Sequence, residues 1–255
     1  MLLPVFWGRT IVKFFNEYFQ RQTIDNFFVE VTGAARVNIK IVDDHSGQVT
    51  EINFPGLTST GGDLAQLTGV IGRLAGEQQW FVISGSLPQG LPDTVYRQLI
   101  EILKEQRVKV LLDSSGLALR EGIKAMPDAI KPNLEELSQL MGKPLEKESE
   151  ITKAIAELLA GGIKQVVVTL GSQGAIIADK DQTLRVRPPT VIAKSTVGAG
   201  DALVAGFVVG QTQGLSLAEC ARLGTAAATA SVIQPGTQAG SMNEVARLLA
   251  QIHIS

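Results

Sequence analysis

Cysteine is almost missing from this chain. Among 255 residues there is one, Cys220, so no internal disulfide can form and a reducing, cytoplasmic setting is the simplest reading. It falls within Leu217-Ala-Glu-Cys-Ala-Arg-Leu223, a helix-like pattern that suits a small core residue rather than a nucleophile. Histidine is nearly as scarce. His45 lies in a turn-like segment and His253 near the C-terminal end; neither has a Cys or His at ligand spacing, which argues against a zinc site. Charge of one sign is not in excess either. The formal net charge is −2 and no Lys/Arg-rich run occurs, so nucleic acid is not an expected partner and any phosphate binding must be local. No stretch approaches the ~18 consecutive apolar residues of a bilayer span, so no membrane partner is expected. Met1 to Trp7 is apolar but short, lacks a basic leader and meets Arg9 at once; it reads as an abruptly starting core strand, not a signal peptide. A Gly-x-x-x-x-Gly-Lys-[Ser/Thr] loop and the protein-kinase motifs are absent too, so phosphoryl chemistry would need other machinery.

Apolar residues make up 45% and charged residues 19% of the chain, ordinary values for one large α/β domain with a real core. Phe14 to Gln22 has the spacing of an amphipathic helix. Phe27–Val31, Arg36–Val42 and Gln48–Phe54 have that of strands. The last two alternate apolar with polar residues around a turn at Asp43–Gly47, which predicts a β-hairpin with one wet or substrate-facing side. Beyond Leu64 the rhythm changes. Strands are expected at 80–84, 108–113, 129–131, 165–170 and 174–178, and helices at 93–105, 133–141, 148–160, 199–212, 216–232 and 242–251. Apolar strands alternating with helices imply parallel βαβ units, with ligands bound beyond the carboxyl ends of the strands. Four small or polar clusters fall at such ends: Ser84-Gly-Ser-Leu-Pro88, Asp113-Ser-Ser-Gly116, Lys131-Pro-Asn133 and Thr169-Leu-Gly-Ser-Gln-Gly174. They should converge on one cleft.

The most informative segment is Gly198-Ala-Gly-Asp201 ahead of a long apolar helical run. Small residues at a helix start let backbone N–H groups crowd around an anion. A carboxylate beside them, Asp201, could take a proton from a hydroxyl that is being phosphorylated. With an ordinary pKa of ~3.9 it is a weak base, yet it suffices where the alcohol becomes acidic only as the P–O bond forms. The plainer alternative is a tight turn with an aspartate placed favourably at a helix N-terminus. Lys131-Pro-Asn-Leu-Glu-Glu136 also has two readings. Asn133 and Glu136 form a capping-box pair, or, one turn apart on one face, they hold Mg²⁺ through its waters. Thr169 to Gly174 is either a hairpin turn or a backbone cradle for nucleotide phosphates. Arg36, Asn38 and Lys40 alternate onto one strand face. That face is either merely solvated or cationic toward the phosphate of a sugar phosphate.

Taken together these motifs resemble the PfkB, or ribokinase-like, family of carbohydrate kinases. Gly-Ala-Gly-Asp, Asn-x-x-Glu, Ser-Gly-Ser-Leu-Pro and Thr-Leu-Gly-x-x-Gly occur in the family's order, across essentially the whole chain. Thr32–Asp43, Thr50–Asn53 and Ser195–Asp201 are most similar to the branch that phosphorylates fructose 1-phosphate to fructose 1,6-bisphosphate. The branches acting on tagatose 6-phosphate and fructose 6-phosphate are similar as well. The resemblance implies a three-layer α/β/α fold with a mostly parallel sheet and a small β lid at about residues 27–56, in a single kinase domain. It implies ATP and Mg²⁺ as cofactors, a sugar phosphate as substrate, and homodimer contacts through the lid. It also implies roles. Asp201 would be the base, with Gly198, Ala199 and Gly200 the anion hole. Arg36, Asn38, Lys40, Ser84 and Ser86 would face the sugar phosphate. Lys131, Asn133, Glu136, Thr169, Gly171 and Gly174 would serve the nucleotide, with Asn133 and Glu136 reaching the metal through water and Thr225 and Thr229 lining an adenine pocket. The family's opening strand with its substrate-binding Asp and its Gly-Gly-Lys-Gly-x-Asn segment have no counterpart here, and Phe6-Trp7-Gly8-Arg9 stands where a Gly-Gly-Asp/Asn stretch is expected. A shortened homologue that binds nucleotide without catalysis is therefore the alternative expectation.

Overall fold

The computed structural model describes residues 2–3, 6–8, 12–33, 37–42, 49–54 and 56–255. The chain forms two compact units, Met1–Glu77 with Ser86–Val95, and Gln78–Gly85 with Tyr96–Ser255.

The first unit is built from short strands and two helices. β1 (Leu2–Leu3) and β2 (Phe6–Gly8) precede α1 (Val12–Arg21), then come β3 (Asp25–Asn26), β4 (Val29–Val31), the hairpin β5 (Asn38–Val42) and β6 (Val49–Asn53), and α2 (Gly61–Ala75). β1 runs parallel to β3, and β2 parallel to β4. α1 carries an aromatic stripe. Phe19 stacks with Phe15 and meets Tyr18 and Phe28 edge-on, the geometry that ring quadrupoles favour. α2 was not expected from the sequence, because two glycines open it. What starts it is a capping box: Thr60 accepts from the Asp63 N–H, and the Asp63 carboxylate accepts from the Thr60 N–H at 2.8 Å.

The hairpin follows the expected alternation. Asn38 pairs with Asn53, Ile39 with Ile52 and Lys40 with Glu51. Its apolar face, however, is not covered: Val37, Ile39, Ile41, Ile52 and Phe54 are all exposed. The turn expected at Asp43–Gly47 and the phosphate-facing Arg36 lie outside the described residues.

The second unit holds a seven-stranded sheet. In chain order its elements are β7 (Trp80–Ser84), α3 (Val95–Glu105), β8 (Lys109–Asp113), α4 (Gly116–Gly122), β9 (Ala129–Ile130), α5 (Leu134–Met141), α6 (Glu148–Ala160), β10 (Gln165–Thr169), β11 (Ala175–Ala178), β12 (Thr183–Arg187), α7 (Ala199–Thr212), α8 (Leu217–Val232), α9 (Met242–Leu249) and β13 (His253–Ile254). The strand order is β13-β12-β11-β10-β9-β8-β7. β7 to β10 run parallel; β11 and β12 extend the sheet antiparallel through hairpins, and β13 adds antiparallel to β12 after α7–α9. Both faces are buried, as the unbroken apolar runs Val110–Leu112 and Val166–Val168 require. Leu111, Ala129, Val167 and Ile177 pack under α7, α8 and α9. On the other face the Leu112 side chain reaches α3 and α4, next to Ile100 and Gly122. The result is the expected three-layer α/β/α arrangement with four of seven strands parallel. Cys220 is fully buried in the α7–α8 layer, and burial pushes its thiol up to about 11, so it is a core residue and not a nucleophile. Among the described residues no helix is long and apolar enough to cross a membrane, and no cluster of three or more His, Cys, Asp or Glu could cage a metal ion.

Candidate active site

In the second unit the carboxyl ends of β7, β8, β9 and β10 bring four polar clusters together. Ser84 stands opposite Asp113 in register, and its hydroxyl points at the Asp113 carboxylate at 3.5 Å. The Lys131 backbone is tied to β8 through its N–H on the Leu112 carbonyl at 3.0 Å. Its ammonium meets Asp113 Oδ1 at 2.9 Å, with the two side chains 8% and 13% exposed. Asn133 bridges to Thr169 across the next strand pair. The convergence expected from the sequence is therefore present for Ser84, Asp113, Lys131, Asn133 and Thr169. Ser86 is exposed and falls in the other unit with Asn38 and Lys40.

α7 delivers the remaining groups. Gly198 is its N-cap, at φ 79° and ψ 0°, a left-handed conformation that only glycine adopts without cost. With no side chain at the cap, the first turn keeps its donors. Ala199 N–H goes to the Thr196 carbonyl at 3.3 Å and Ala202 N–H to Gly198 at 2.8 Å. The amides of Gly200 and Asp201 have no acceptor among the described residues. They sit at the positive end of a 14-residue helix, the arrangement that binds anions. The Lys131 ammonium lies directly above, 3.5 Å from where a Cβ on Gly200 would stand. The Asp201 carboxylate is exposed on the same turn. It is near enough to Asp113 that its charge helps raise the Asp113 pKa, although burial is the larger cause and Lys131 opposes both. Glu136 belongs to the same field: burial raises its pKa first, while the Asn133 N–H and Lys131 pull it down. Asp113 and Glu136 thus share one ammonium, with the Asp201 charge felt at Asp113.

Residues 10–244 match the model of the pfkB family carbohydrate kinases. The chain belongs to that family. It is 37% identical over 250 residues to the 1-phosphofructokinase of Vibrio cholerae, covering 98% of this chain and 78% of that one. It is 31% identical over 249 residues to the 1-phosphofructokinase of Escherichia coli K12, covering 98% and 80%. The crystal structure of phosphofructokinase-2 from Escherichia coli in complex with potassium superimposes with a TM-score of 0.90 at 30% identity, over 98% of this chain and 81% of that one.

For this pfkB member the two readings of Asn133 and Glu136 prove compatible. The capping box is formed, with Asn133 N–H on Glu136 Oε2 and Glu136 N–H on Asn133 Oδ1, both at 2.8 Å. That leaves Glu136 Oε1 and the Asn133 amide group unspent. Thr169 to Gly174 is the turn between antiparallel β10 and β11. Gly174, at φ 88°, is required there, since a Cβ would meet the Val186 carbonyl oxygen at 2.1 Å. The Gly171 and Ser172 amides have no backbone acceptor among the described residues. A cavity of about 410 Å³ touches Asn133, Thr169 and Gly171, but its wall also carries Glu135, Glu146 and Glu148, and neither Asp201 nor Gly198 reaches it. Thr225 and Thr229 are buried in α8. The Thr229 hydroxyl donates to the Thr225 carbonyl at 2.7 Å, and the Thr225 hydroxyl has no partner among the described residues.

Sequence reasoning gave Asp113 no role beyond its cluster; nor did it single out Tyr96, or Ser114 within that same cluster. Both of their hydroxyls donate to the Gly85 carbonyl at 3.1 Å, while the Gly85 N–H donates to the Asp113 carbonyl at 3.0 Å. The peptide following Ser84 is thereby held in one orientation. The burial that makes Tyr96 serve this way, with help from Asp113, pushes its phenol up to about 12.

Proposed function

We propose that this chain is an ATP-dependent sugar-phosphate kinase that converts fructose 1-phosphate to fructose 1,6-bisphosphate. One observation carries the reading: a carboxylate, two unspent helix amides and a buried ammonium meet on the first turn of α7. The names of the 31–39% identical relatives support the substrate.

In this reading the γ-phosphoryl group rests on the Gly200 and Asp201 amides. The substrate's free hydroxyl attacks phosphorus, its proton passes to Asp201, and the bond to the ADP oxygen breaks. The amides stabilise charge that grows in the transition state, which is where such donors act most. Asn133, Thr169 and Gly171 lie along the nucleotide side. Ser84 faces the sugar from the end of β7. The residues fit Mg²⁺: Asp113, Glu136 and Asp201 outnumber Lys131 by two negative charges, and Glu136 with Asn133 would hold a hydrated ion through water. Mg²⁺ keeps several waters and is typically shared with substrate phosphates, so no protein cage is needed. When bound it would offset phosphate charge. A cytoplasmic setting suits the single buried thiol. The hairpin's exposed apolar face suits a second copy of this chain, because an isolated hairpin is marginal in water.

The test is ADP release from ATP with fructose 1-phosphate, fructose 6-phosphate and tagatose 6-phosphate, on the chain and on Asp201→Asn. Loss of a general base predicts a fall in kcat of about 10²–10⁴-fold with the nucleotide still bound. Unchanged turnover in Asp201→Asn would falsify the assigned base. Nucleotide binding with no turnover on any of the three sugars would favour the inactive homologue.

A further inference from the structure

Asp113, Glu136 and Asp201 share one electrostatic cluster with the Lys131 ammonium, which pairs with Asp113 and not with the proposed base. Among the described residues Asp113 is its only hydrogen-bond acceptor, at 2.9 Å. An ammonium has three donors, so two N–H groups remain on a side chain 8% exposed to water. A buried charge left so incompletely satisfied is costly unless something completes its shell. What lies next to it is the first turn of α7, where the Gly200 and Asp201 amides are also unspent. Unspent donors of two kinds, ammonium and backbone amide, converge on one spot.

Lys131 could go elsewhere. A lysine stem is flexible and rich in rotamers, and Glu136 and Asp201 are both within the field of the same cluster. Pairing with Asp201 would occupy the base. Asp113 prevents this, and it is itself fixed. It ends a core strand, its carbonyl accepts from Gly85, and the Ser84 hydroxyl approaches its second oxygen.

We propose that Asp113 is a positioning residue of the transfer step: by holding the Lys131 ammonium above the first turn of α7, it makes that ammonium a charged third donor to the migrating phosphoryl group and keeps it off Asp201. This rests on the kinase reading given above. Asp113 touches neither substrate in this scheme; it acts through Lys131.

The experiment is a double-mutant cycle on the full chain with Asp113→Asn, Lys131→Met and the pair. Active protein is normalised by ADP binding, and folding is followed by thermal melting. Removing one transition-state donor costs about 10²–10³-fold in kcat, so Lys131→Met should fall in that range and Asp113→Asn about tenfold or more, with KM for the sugar phosphate little changed. In the Lys131→Met background, Asp113→Asn should add less than about threefold, because coupled residues are not additive. Calorimetry with ADP plus aluminium fluoride, a mimic of the group in flight, should lose more affinity in both single variants than ADP alone does. Should Asp113→Asn unfold, Asp113→Glu replaces it in the same cycle: it keeps the charge, so kcat should return to within about tenfold of the parent. Multiplicative losses in the double variant, or an Asp113→Asn chain equal to the parent, overturn the Asp113 inference alone. A parent chain that neither turns over a sugar phosphate nor binds ADP with aluminium fluoride overturns the kinase reading and this inference with it.

Discussion

Replacing Gly206 by alanine should destabilise the protein, although alanine is the better helix former. Gly206 lies in the interior of α7, where the exchange gains about 1 kcal/mol in intrinsic propensity. A Cβ there, however, would stand 2.8 Å from the Leu223 carbonyl oxygen and 2.9 Å from the Gly224 Cα. Both belong to the α8 backbone and cannot swing aside as a side-chain end would. Overpacking of this kind costs about 1–3 kcal/mol and more where backbone must move. With backbone atoms in the way the cost falls in the upper part of that range, so the clash wins, with a net loss of about 1–2 kcal/mol. The matched control is Gly69 in α2, where a Cβ meets nothing within 4 Å; there the same exchange should gain up to about 1 kcal/mol. At about 2–4 °C per kcal/mol for a chain of this size, the two variants should melt on opposite sides of the parent. Because α7 also presents Gly200 and Asp201, Gly206→Ala should lower kcat, whereas Gly69→Ala should not. The assay is a pair of melting curves followed by circular dichroism, with initial rates on the same samples. A Gly206→Ala protein that melts at or above the parent would refute the claim that backbone contact between α7 and α8 sets the position of the site.

Two further outcomes follow from the charge cluster and the hairpin. Burial raises the Glu136 pKa, so over pH values above the ordinary carboxylate range the folded chain binds more protons at this group than the unfolded one, and stability falls as pH rises. Glu136→Gln removes that fall while keeping an oxygen for the Asn133 N–H. Its melting temperature should match the parent's at about pH 4 and exceed it at pH 7, while kcat drops; equal melting curves at both pH values refute the assignment. Ile41→Glu places a charge on the exposed apolar face of β5. Sedimentation should show a dimer of the parent converted to monomer, and identical sedimentation of the two proteins removes the hairpin from the interface.

Much of the fold was legible because its signals are local. The run Trp80–Ser84 and the helix Glu148–Ala160 match their expected bounds without change, since a buried strand and an amphipathic helix both announce themselves through apolar spacing. α2 was hidden by its opening glycines. α4 escaped because its seven residues, Gly116–Gly122, are too few to show a period. β12 and β13 were missed for another reason. Thr183–Arg187 alternates weakly, and His253–Ile254 is only two residues long; both become strands through pairing with a sheet that already exists, which is tertiary context rather than propensity. The apolar side of the hairpin was legible as a pattern, but its exposure was not, because alternation states which residues share a face and not what covers that face.

The site divides along the same line. Gly198, Gly200 and Asp201 could be singled out because the chemistry needs small residues and a carboxylate contiguous in sequence, and a helix N-terminus assembles them locally. Lys131 and Asp113 are 18 residues apart on adjacent parallel strands, and nothing in either segment names the other. Their pairing depends on the register that sets Leu111 opposite Ala129 and Leu112 opposite Ile130, which brings the two strand ends level. A carboxylate at the end of an apolar strand is expected to face solvent unless a cation meets it, since an unpaired charge is too costly to bury. Asp113, 13% exposed, is tolerable only because Lys131 arrives from the next strand. Lys131 in turn is left with donors to spare only because Asp113 supplies a single acceptor oxygen to it. Each residue accounts for the burial of the other, and the deficit that remains points at the first turn of α7.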